Sequence, residues 1–315
     1  MIFAPALAGQ DGGMPLESRH RHLLERAGLL GAVTVEPLRG GFGNDMHRIT
    51  DAGGRRVVLR DWTRAPGAAP IDLRALAEAA ADGIPVPQVL AEDAHSAVLS
   101  YVEGERADIV LRRSTERERE QIGEALGAAF AAVWARPRAV AGIPQVHEGE
   151  VTVEPVRPSP AAQFEDFLDR ARHAPPGWSA LARRYAEAMH YLGQRPVRCH
   201  GDANGKNVIL HRGVGPGAAG GRWSVAAIVD WEFTWAGPLE ADLGNLLRFE
   251  SVFEKLSPLR RGLVRAAGVT REQVELARRL DLFAMAEMFA RPRMAGPVLR
   301  QLRTVAGAQV AAGRV

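Results

Sequence analysis

The chain has 315 residues, of which 46% are hydrophobic and 24% are charged, and its formal net charge is +3. This length allows two domains or one large one, and the composition is typical of a soluble globular protein. So small a net charge indicates no general attraction to nucleic acid or to an anionic membrane, and no apolar run is long enough to span a bilayer, so we expect neither partner.

Residues 1–20 are predicted to be a mobile leader, because they lack the positive segment that opens a signal peptide. His20 and His22 stand in a polar context there, and both side chains are expected to be solvated. Three short strands follow between residues 33 and 62, separated by glycine and aspartate turn signals. A helix is predicted over 71–83 and a further strand over 96–105.

After residue 105 the pattern becomes mostly helical. Thr115 with Glu118, and Thr270 with Gln273, form capping-box patterns before apolar stripes. The proline-rich residues 136–160 are predicted to be irregular. Further helices are predicted over 163–174, 179–193, 240–256 and 270–290, and two strands over 208–210 and 223–231 enclose a glycine-rich loop.

These elements predict an α+β fold with two lobes. The joint is expected near Tyr101–Gly104. The N-terminal lobe would then cover residues 1–103, and the helical C-terminal lobe would cover residues 104–315.

The stretch RCHGDANGKNVILHRG, residues 198–213, gathers chemically active side chains between apolar segments. Asp202 and Asn207 lie five residues apart in a loop, and Asp230 ends the strand expected to pair with the one after Asn207. The hairpin therefore brings Asp230 beside Asn207. Carboxylate and amide oxygens suit a Mg²⁺ ion shared with substrate phosphates, which leaves Asp202 to face a hydroxyl group.

Other interpretations of this stretch are weaker. The GDANGKN segment differs from a P-loop, because three residues rather than four separate its glycines and an asparagine follows the lysine. His200 and Asp202 could be metal ligands of a hydrolase, but no other histidine-rich cluster is near in sequence. The only cysteine, Cys199, cannot form an internal disulfide, which favours a cytoplasmic protein and a small buried side chain rather than a nucleophile.

His200-Gly201-Asp202 with Asn207, followed after a hairpin by Asp230 in VDWE, resembles the catalytic loop and metal-binding motif of the aminoglycoside phosphotransferase family. Three further segments, 38–50, 82–90 and 237–250, resemble parts of that family in the same order, so the resemblance covers residues 33–256. It implies a bilobal protein-kinase-like fold, with an antiparallel sheet and one helix in the N-lobe. It also implies phosphoryl transfer from ATP or GTP with Mg²⁺.

The resemblance implies residue roles as well. Asp202 would be the catalytic base, Asn207 and Asp230 would hold Mg²⁺, and His200 and Asp242 would support the catalytic loop. The residues that would bind the nucleotide are Gly40, Gly41, Gly43, Asn44, Val58, Arg60, Asp72, Ser100, Tyr101 and Val102.

The sequence departs from the family at the lysine expected on the third strand, because no lysine precedes residue 206. Strand alternation places Arg60 on the same face as Val58, so Arg60 is the expected replacement at the α- and β-phosphates. Its acidic partner on the first helix is expected to be Asp72, with Glu78 as the alternative. Loss of the Arg60 charge is expected to impair nucleotide use with little loss of fold stability.

The acceptor is predicted to be a small hydroxyl-bearing molecule. The resemblance favours a natural-product antibiotic, and a choline-type amino alcohol is the alternative. The six acids from Asp230 to Glu254 could attract a cationic substrate or could be solvated helix faces. Glu232 and Trp235 are candidate substrate residues, although core packing is the favoured interpretation of Trp231 and Trp235. A nucleotide-binding scaffold without activity is the alternative of a different class.

Overall fold

The computed structural model describes residues 16–29, 31, 33–38, 45–62, 67–213, 221–250, 256–294 and 296–315. Its N-terminal part, called the N-lobe below, contains a five-stranded antiparallel sheet in the order β1-β2-β3-β5-β4. The strands are β1 (Val33–Pro37), β2 (Asp45–Asp51), β3 (Arg56–Asp61), β4 (Val89–Glu92) and β5 (Ser96–Ser100). Helix α1 (Ser18–Arg26) packs on one face of this sheet and α2 (Ala68–Ala81) on the other.

The rest of the chain, called the C-lobe, is mainly helical. Its helices are α3 (Ala107–Arg113), α4 (Glu116–Trp134), α5 (Pro160–Arg170), α6 (Trp178–Arg183), α7 (Leu239–Leu247), α8 (Ser257–Ala267), α9 (Arg271–Ala290) and α10 (Gly296–Ala312). Its strands are β6 (Glu105–Arg106), β7 (Ile143–His147), β8 (Glu150–Glu154), β9 (Val197–Cys199), β10 (Val208–Arg212), β11 (Trp223–Ile228) and β12 (Trp235–Gly237). The α+β architecture expected from the sequence is confirmed.

The strands of the C-lobe position one loop. β10 pairs with both β11 and β6, and β9 pairs with β12, all in the antiparallel sense. Loop 200–207 therefore connects β9 to β10 beside the end of the β10–β11 hairpin. Because β6 already pairs with β10, the chain has joined the C-lobe by residue 105, and the exact boundary at 103/104 remains a prediction.

Both predicted capping boxes are present. The Thr115 hydroxyl accepts a hydrogen bond from the Glu118 N–H at the start of α4, and the same arrangement opens α9. Helix α4 then packs closely on α8. A Cβ atom at Gly123 would lie 2.1 Å from the Leu259 carbonyl oxygen, so this approach requires glycine.

The prediction of a mobile leader is wrong for its last residues, which form α1. The His20 side chain is fully buried rather than solvated. Its Nδ1 accepts a hydrogen bond from the Glu17 N–H at 3.3 Å, so its Nε2 donates to the Asp61 carboxylate, 2.9 Å away. His22 is exposed, as expected. Residues 1–15 lie outside the described residues.

Residues 136–160, expected to be irregular, contain the β7–β8 hairpin. Its turn has positive φ angles at Glu148 (50°) and Gly149 (85°), as in hairpin turns of the primed type. The predicted strand over 96–105 ends at Ser100 instead, and the predicted helix over 179–193 divides into α6 and a 3₁₀ segment, Ala186–Gly193.

The helix predicted over 240–256 also ends early, because α7 stops at Leu247, while 251–255 lie outside the described residues. Helices α8 and α10 were not predicted. None of the helices in the described ranges is long and apolar enough to cross a membrane.

Candidate active site

Amide groups fix the Asp202 carboxylate in loop 200–207. Asn204 donates to Asp202 Oδ1 at 2.8 Å, and Asn207 donates to Oδ2 at 2.8 Å. Asn245 on α7 approaches Oδ1 at 3.5 Å. Asp202 is only half-buried. The carboxylate is therefore held in one orientation while it stays accessible to a hydroxyl group.

Asp242 anchors the backbone of the same loop. Its carboxylate accepts hydrogen bonds from the backbone N–H groups of His200 (2.7 Å) and Gly201 (2.9 Å), and from the Trp134 indole (3.1 Å). Burial raises the pKa of Asp242, whereas His200 and these donors lower it. With three donors around it, this buried carboxylate holds the loop backbone in place from the side of the protein core.

His200 connects the loop to the segment that carries Asp230. Its Nδ1 accepts a hydrogen bond from the Asp202 N–H at 3.2 Å, so its Nε2 donates to the Val229 carbonyl oxygen at 3.0 Å. The ring is fully buried against Trp231, with 4.8 Å between ring centroids. His200 therefore links loop 200–207 to the segment before Asp230, and Trp231 packs in the core.

The hairpin places Asn207 and Asp230 side by side, as the sequence predicts. Val208 pairs with Ile228, and the Val229 N–H donates to the Asn207 carbonyl oxygen at 2.9 Å. Asp230 itself has left-handed backbone angles, φ 70° and ψ 60°, which cost a non-glycine residue free energy and are frequent at functional sites.

The donor set at this hairpin fits Mg²⁺. The Asn207 amide nitrogen donates to the Asp202 carbonyl and carboxylate oxygens, so the Asn207 amide oxygen points away from them. No group of three or more His, Cys, Asp or Glu side chains suited to a metal occurs in the described part of the chain. An ion here would therefore rest on one carboxylate, one amide oxygen, water and phosphate, which is how Mg²⁺ is usually bound.

Arg60 lies on the central strand of the N-lobe sheet, and its side chain is 3% exposed. Its guanidinium contacts three carboxylates: Asp72 at 3.1 Å, Asp230 at 2.5 Å and Glu232 at 3.2 Å. Burial alone would lower the pKa of Arg60, but these carboxylates outweigh burial and raise it. Val58, two residues before Arg60, packs on the α2 side of the sheet, whereas Val57 and Leu59 pack on the α1 side. Arg60 and Val58 therefore share one face of β3, as strand alternation predicts.

The acidic partner of Arg60 is Asp72 rather than Glu78. Asp72 is fully buried and also accepts a hydrogen bond from the Trp231 N–H at 2.9 Å. Burial raises its pKa, and the adjacent Arg60 charge counteracts this rise. Glu78 instead contacts Arg74 and Arg138. Asp72 on α2 therefore contacts both Arg60 and the backbone next to Asp230.

Only some of the other residues predicted to bind nucleotide lie in the described part of the chain. Gly40, Gly41, Gly43 and Asn44 lie outside the described residues. The Ser100 hydroxyl accepts a hydrogen bond from the Gln88 N–H at 2.9 Å, so this side chain extends the pairing of β4 with β5 at the end opposite to their connecting turn. Tyr101 and Val102 are half-buried, and the Arg56 guanidinium lies 4.9 Å from the centroid of the Tyr101 ring.

The acids after Asp230 do not form a free anionic surface in the described residues. Glu232 contacts Arg60, Glu240 accepts from Gln273, and Glu250 contacts Arg260 and Arg278. Asp230 and Asp242 have the partners given above, and Glu254 lies outside the described residues. Arginines therefore occupy Glu232 and Glu250, and a role of these acids in attracting a cationic substrate stays a prediction. Trp235 is half-buried and packs partly against the C-lobe core.

The sequence did not predict three features near Asp202: the Asn204 amide, the Asn245 amide and the ion pair between Arg248 and Asp281. Asn204 could have been noticed, because an amide two residues after the aspartate is within reach of its carboxylate. Arg248 and Asp281 form an ion pair at 2.6 Å, with both side chains buried. Burial lowers the pKa of Arg248, but Asp281 and Asp202 outweigh it and raise this pKa. No sequence pattern connects Asn245, Arg248 or Asp281 with loop 200–207.

Cys199 is buried and not positioned as a nucleophile. Its thiol donates to the Gly237 and Pro238 carbonyl oxygens at 3.3 and 3.4 Å. Burial raises the pKa of this thiol well above its ordinary value. The interpretation as a small buried side chain is confirmed.

The chain matches one protein family and several solved structures. The profile of the phosphotransferase enzyme family matches residues 34–280. No curated protein matches the chain. Solved structures with the same protein-kinase-like fold do match it, and three of them are described next.

A thermostable mutant of an aminoglycoside phosphotransferase, crystallised with AMP-PNP and hygromycin B, is 15% identical with a TM-score of 0.65, covering 94% of this chain and 98% of its own. A choline/ethanolamine kinase family protein from Mesorhizobium loti is 20% identical with a TM-score of 0.60, covering 91% and 89%. A type I macrolide 2′-phosphotransferase is 19% identical with a TM-score of 0.57, covering 95% and 98%. Identities this low establish the fold and leave the acceptor open.

Proposed function

The chain belongs to the phosphotransferase enzyme family, and from this premise we propose that it transfers the γ-phosphate of ATP or GTP to a hydroxyl group of a small molecule. The proposed acceptor is a natural-product antibiotic, and the proposed location is the cytoplasm. The observation that carries the proposal is the convergence of Asp202, Asn207 and Asp230 at one hairpin, opposite Arg60. An inactive scaffold would have no need of this arrangement.

In this proposal Asp202 orients the acceptor hydroxyl and takes its proton. The amides of Asn204 and Asn207 hold the carboxylate in place, so little motion is needed to reach the reacting geometry. A positioned base of this kind contributes about a hundredfold to ten-thousandfold in rate. Asn207 and Asp230 would hold Mg²⁺, which neutralises phosphate charge when bound.

Arg60 would bind the α- and β-phosphates. Its guanidinium already contacts Asp230 and Glu232, both near the expected metal position. A phosphate would replace part of these contacts, while Asp72 keeps the guanidinium in place from the opposite side. A planar fork that binds two oxygens at once suits this exchange.

The antibiotic acceptor is supported by two of the structural relatives, which are named for their action on aminoglycosides and macrolides. The choline/ethanolamine kinase relative keeps an amino alcohol as the second candidate. The ion pairs of Glu232 and Glu250 with arginines argue against an acceptor that depends on several positive charges.

The test is a screen for ADP or GDP release with aminoglycosides, macrolides, choline and ethanolamine as acceptors, followed by mass spectrometry for a phosphate adduct. Release with an antibiotic, together with higher resistance of a susceptible bacterium that produces the protein, would support the proposal. Release only with the amino alcohols would move the acceptor to the second candidate. Nucleotide binding with no release for any acceptor would support the scaffold.

A further inference from the structure

The C-terminal end of α2 is held by arginines from the C-lobe. Glu78 lies 2.5 Å from Arg138, and Asp82, the residue that ends the helix, lies 2.8 Å from both Arg136 and Arg198. We call these three arginines and two acids the α2 clamp. Arg136 and Arg138 follow α4, and Arg198 lies on β9, directly before the catalytic loop.

The clamp is not explained by helix stability alone. An acid at a helix C-terminus is unfavourable, because the partial charge there is negative, and the last turn of α2 carries no base of its own. The C-lobe supplies the cations that this end of the helix lacks. Burial alone would raise the pKa of Glu78, but hydrogen bonds from Arg138 and Arg74 lower it, so this acid stays charged.

Arg198 is the most deeply buried arginine of the α2 clamp. Its side chain is 1% exposed, and Asp82 is its ion-pair partner, while its Nε and Nη2 atoms have no hydrogen-bond partner among the described residues. Burial lowers the pKa of Arg198, and Asp82 only partly offsets this effect. A buried cation with one partner is costly to keep, which indicates a role for the contact beyond packing.

The same helix carries the partner of Arg60. Asp72 contacts Arg60 and the Trp231 N–H, and it lies ten residues before Asp82, roughly 15 Å along a helix. The Arg74 guanidinium also bonds to the Val151 carbonyl oxygen on β8, so C-lobe contacts extend along α2. A helix fixed at its far end holds Asp72 against Arg60 of the N-lobe and the Trp231 N–H of the C-lobe.

We infer that the α2 clamp positions the nucleotide site. Glu78 and Asp82 are positioning residues, which act by keeping Asp72 against Arg60 and Trp231 before any nucleotide arrives. The inference rests on the proposed function, because it concerns the site where the phosphates would bind. It differs from a purely structural role in one respect: weakening the clamp should reduce nucleotide affinity in protein that is still fully folded.

The test compares the double variant Arg136→Gln/Arg138→Gln with Arg183→Gln. Arg183 is about as exposed as Arg136 and contacts two acids, Glu165 and Asp169, but it lies elsewhere in the C-lobe. The buried Arg198–Asp82 pair is left intact. The measurements are the Kd for AMP-PNP with Mg²⁺ by calorimetry at 20 °C, the melting temperature, and hydrogen–deuterium exchange of residues 68–82.

We expect the double variant to bind AMP-PNP about three- to tenfold more weakly, with faster exchange in α2, because each partly exposed ion pair changes an equilibrium by up to about fivefold. Arg183→Gln should bind like the wild type, and Arg136→Lys/Arg138→Lys should recover most of the affinity. If the double variant does not fold, Glu78→Gln takes its place, with a two- to threefold loss expected.

Equal affinity in the wild type and the Gln variant, even with a lower melting temperature, would overturn the inference. So would a Lys variant that binds as weakly as the Gln variant. The proposed function fails in a different way, since the wild type itself would then not bind AMP-PNP with Mg²⁺.

Discussion

Both carboxylate oxygens of Asp202 accept hydrogen bonds from asparagine amides, so removal of this side chain should affect the chemical step more than the binding of nucleotide. Asp202→Ala is expected to lower kcat by about a hundredfold to ten-thousandfold, the usual contribution of a positioned base. The Kd for nucleotide should change little. Steady-state kinetics with a verified acceptor and calorimetry with AMP-PNP measure the two quantities. Near-full turnover in this variant would show that another group is the base.

Arg60 should affect stability as well as kinetics, which corrects the expectation from the sequence. Arg60→Met leaves Asp72 buried without its ion-pair partner, so the free energy of unfolding should fall by about 3–5 kcal/mol. The nucleotide KM should rise and kcat should fall. Arg60→Lys should keep part of the activity, because a point charge still meets a phosphate but loses the planar fork.

The control for Arg60 is the double variant Arg60→Met/Asp72→Asn. Residues in contact couple, so its loss of stability should be smaller than the sum of the two single losses. Denaturant unfolding of the four proteins completes the cycle. Additive losses would mean that the contact between Arg60 and Asp72 contributes little to the folded state.

At the scale of single elements, α1 gives the sharpest contrast between sequence and structure. Its two histidines look alike in the sequence, yet His20 is buried on Asp61 and His22 is exposed. His20→Ala should lower the free energy of unfolding by about 1–3 kcal/mol, because Asp61 loses a donor in a buried site. His22→Ala should change it by less than about 0.5 kcal/mol. Equal effects in chemical denaturation would mean that α1 is not docked on the sheet in solution.

The elements that could be predicted are those with a local signal. Thr115 with Glu118 marks the start of α4, and alternation on β3 places Arg60 and Val58 on one face. The β7–β8 hairpin was missed because its strands are mostly half-buried or exposed and show no apolar alternation. The Glu148-Gly149 turn was the one local signal there. In α1 only a short face is apolar, so its packing depends on a partner distant in sequence.

In the candidate site, too, only the residues with a local sequence signal could be predicted. Asp202, Asn207 and Asp230 could be brought together from the sequence, because a short hairpin fixes their distance. Arg248 with Asp281, and the clamp between Asp82 and Arg198, join residues 33 and 116 positions apart. Only packed elements bring such pairs together, so no local pattern indicates them.

At the scale of the whole molecule, the site is divided between two lobes. Arg60 and Asp72 belong to the N-lobe, whereas Asp230 belongs to the C-lobe and contacts Arg60 at 2.5 Å. A nucleotide bound with Mg²⁺ would replace this direct contact by one through phosphate and metal. Ligand binding should therefore stabilise both lobes at once, and the metal-dependent part of that stabilisation should depend on Asp230.

In the wild type, AMP-PNP at a hundredfold excess over its Kd should add about 2.7 kcal/mol of stability, with most of it requiring Mg²⁺. Asp230→Ala should lose the Mg²⁺-dependent part, because this residue supplies the only carboxylate of the proposed ion site, and Asn207→Ala should lose a smaller part. Thermal unfolding with nucleotide, with and without Mg²⁺, measures both effects. Asp166→Ala serves as the control, since Asp166 forms an exposed pair with Arg170 on α5. An unchanged Mg²⁺ response in the Asp230 variant would place the ion elsewhere, and the contact between Arg60 and Asp230 would then be a structural link between the lobes.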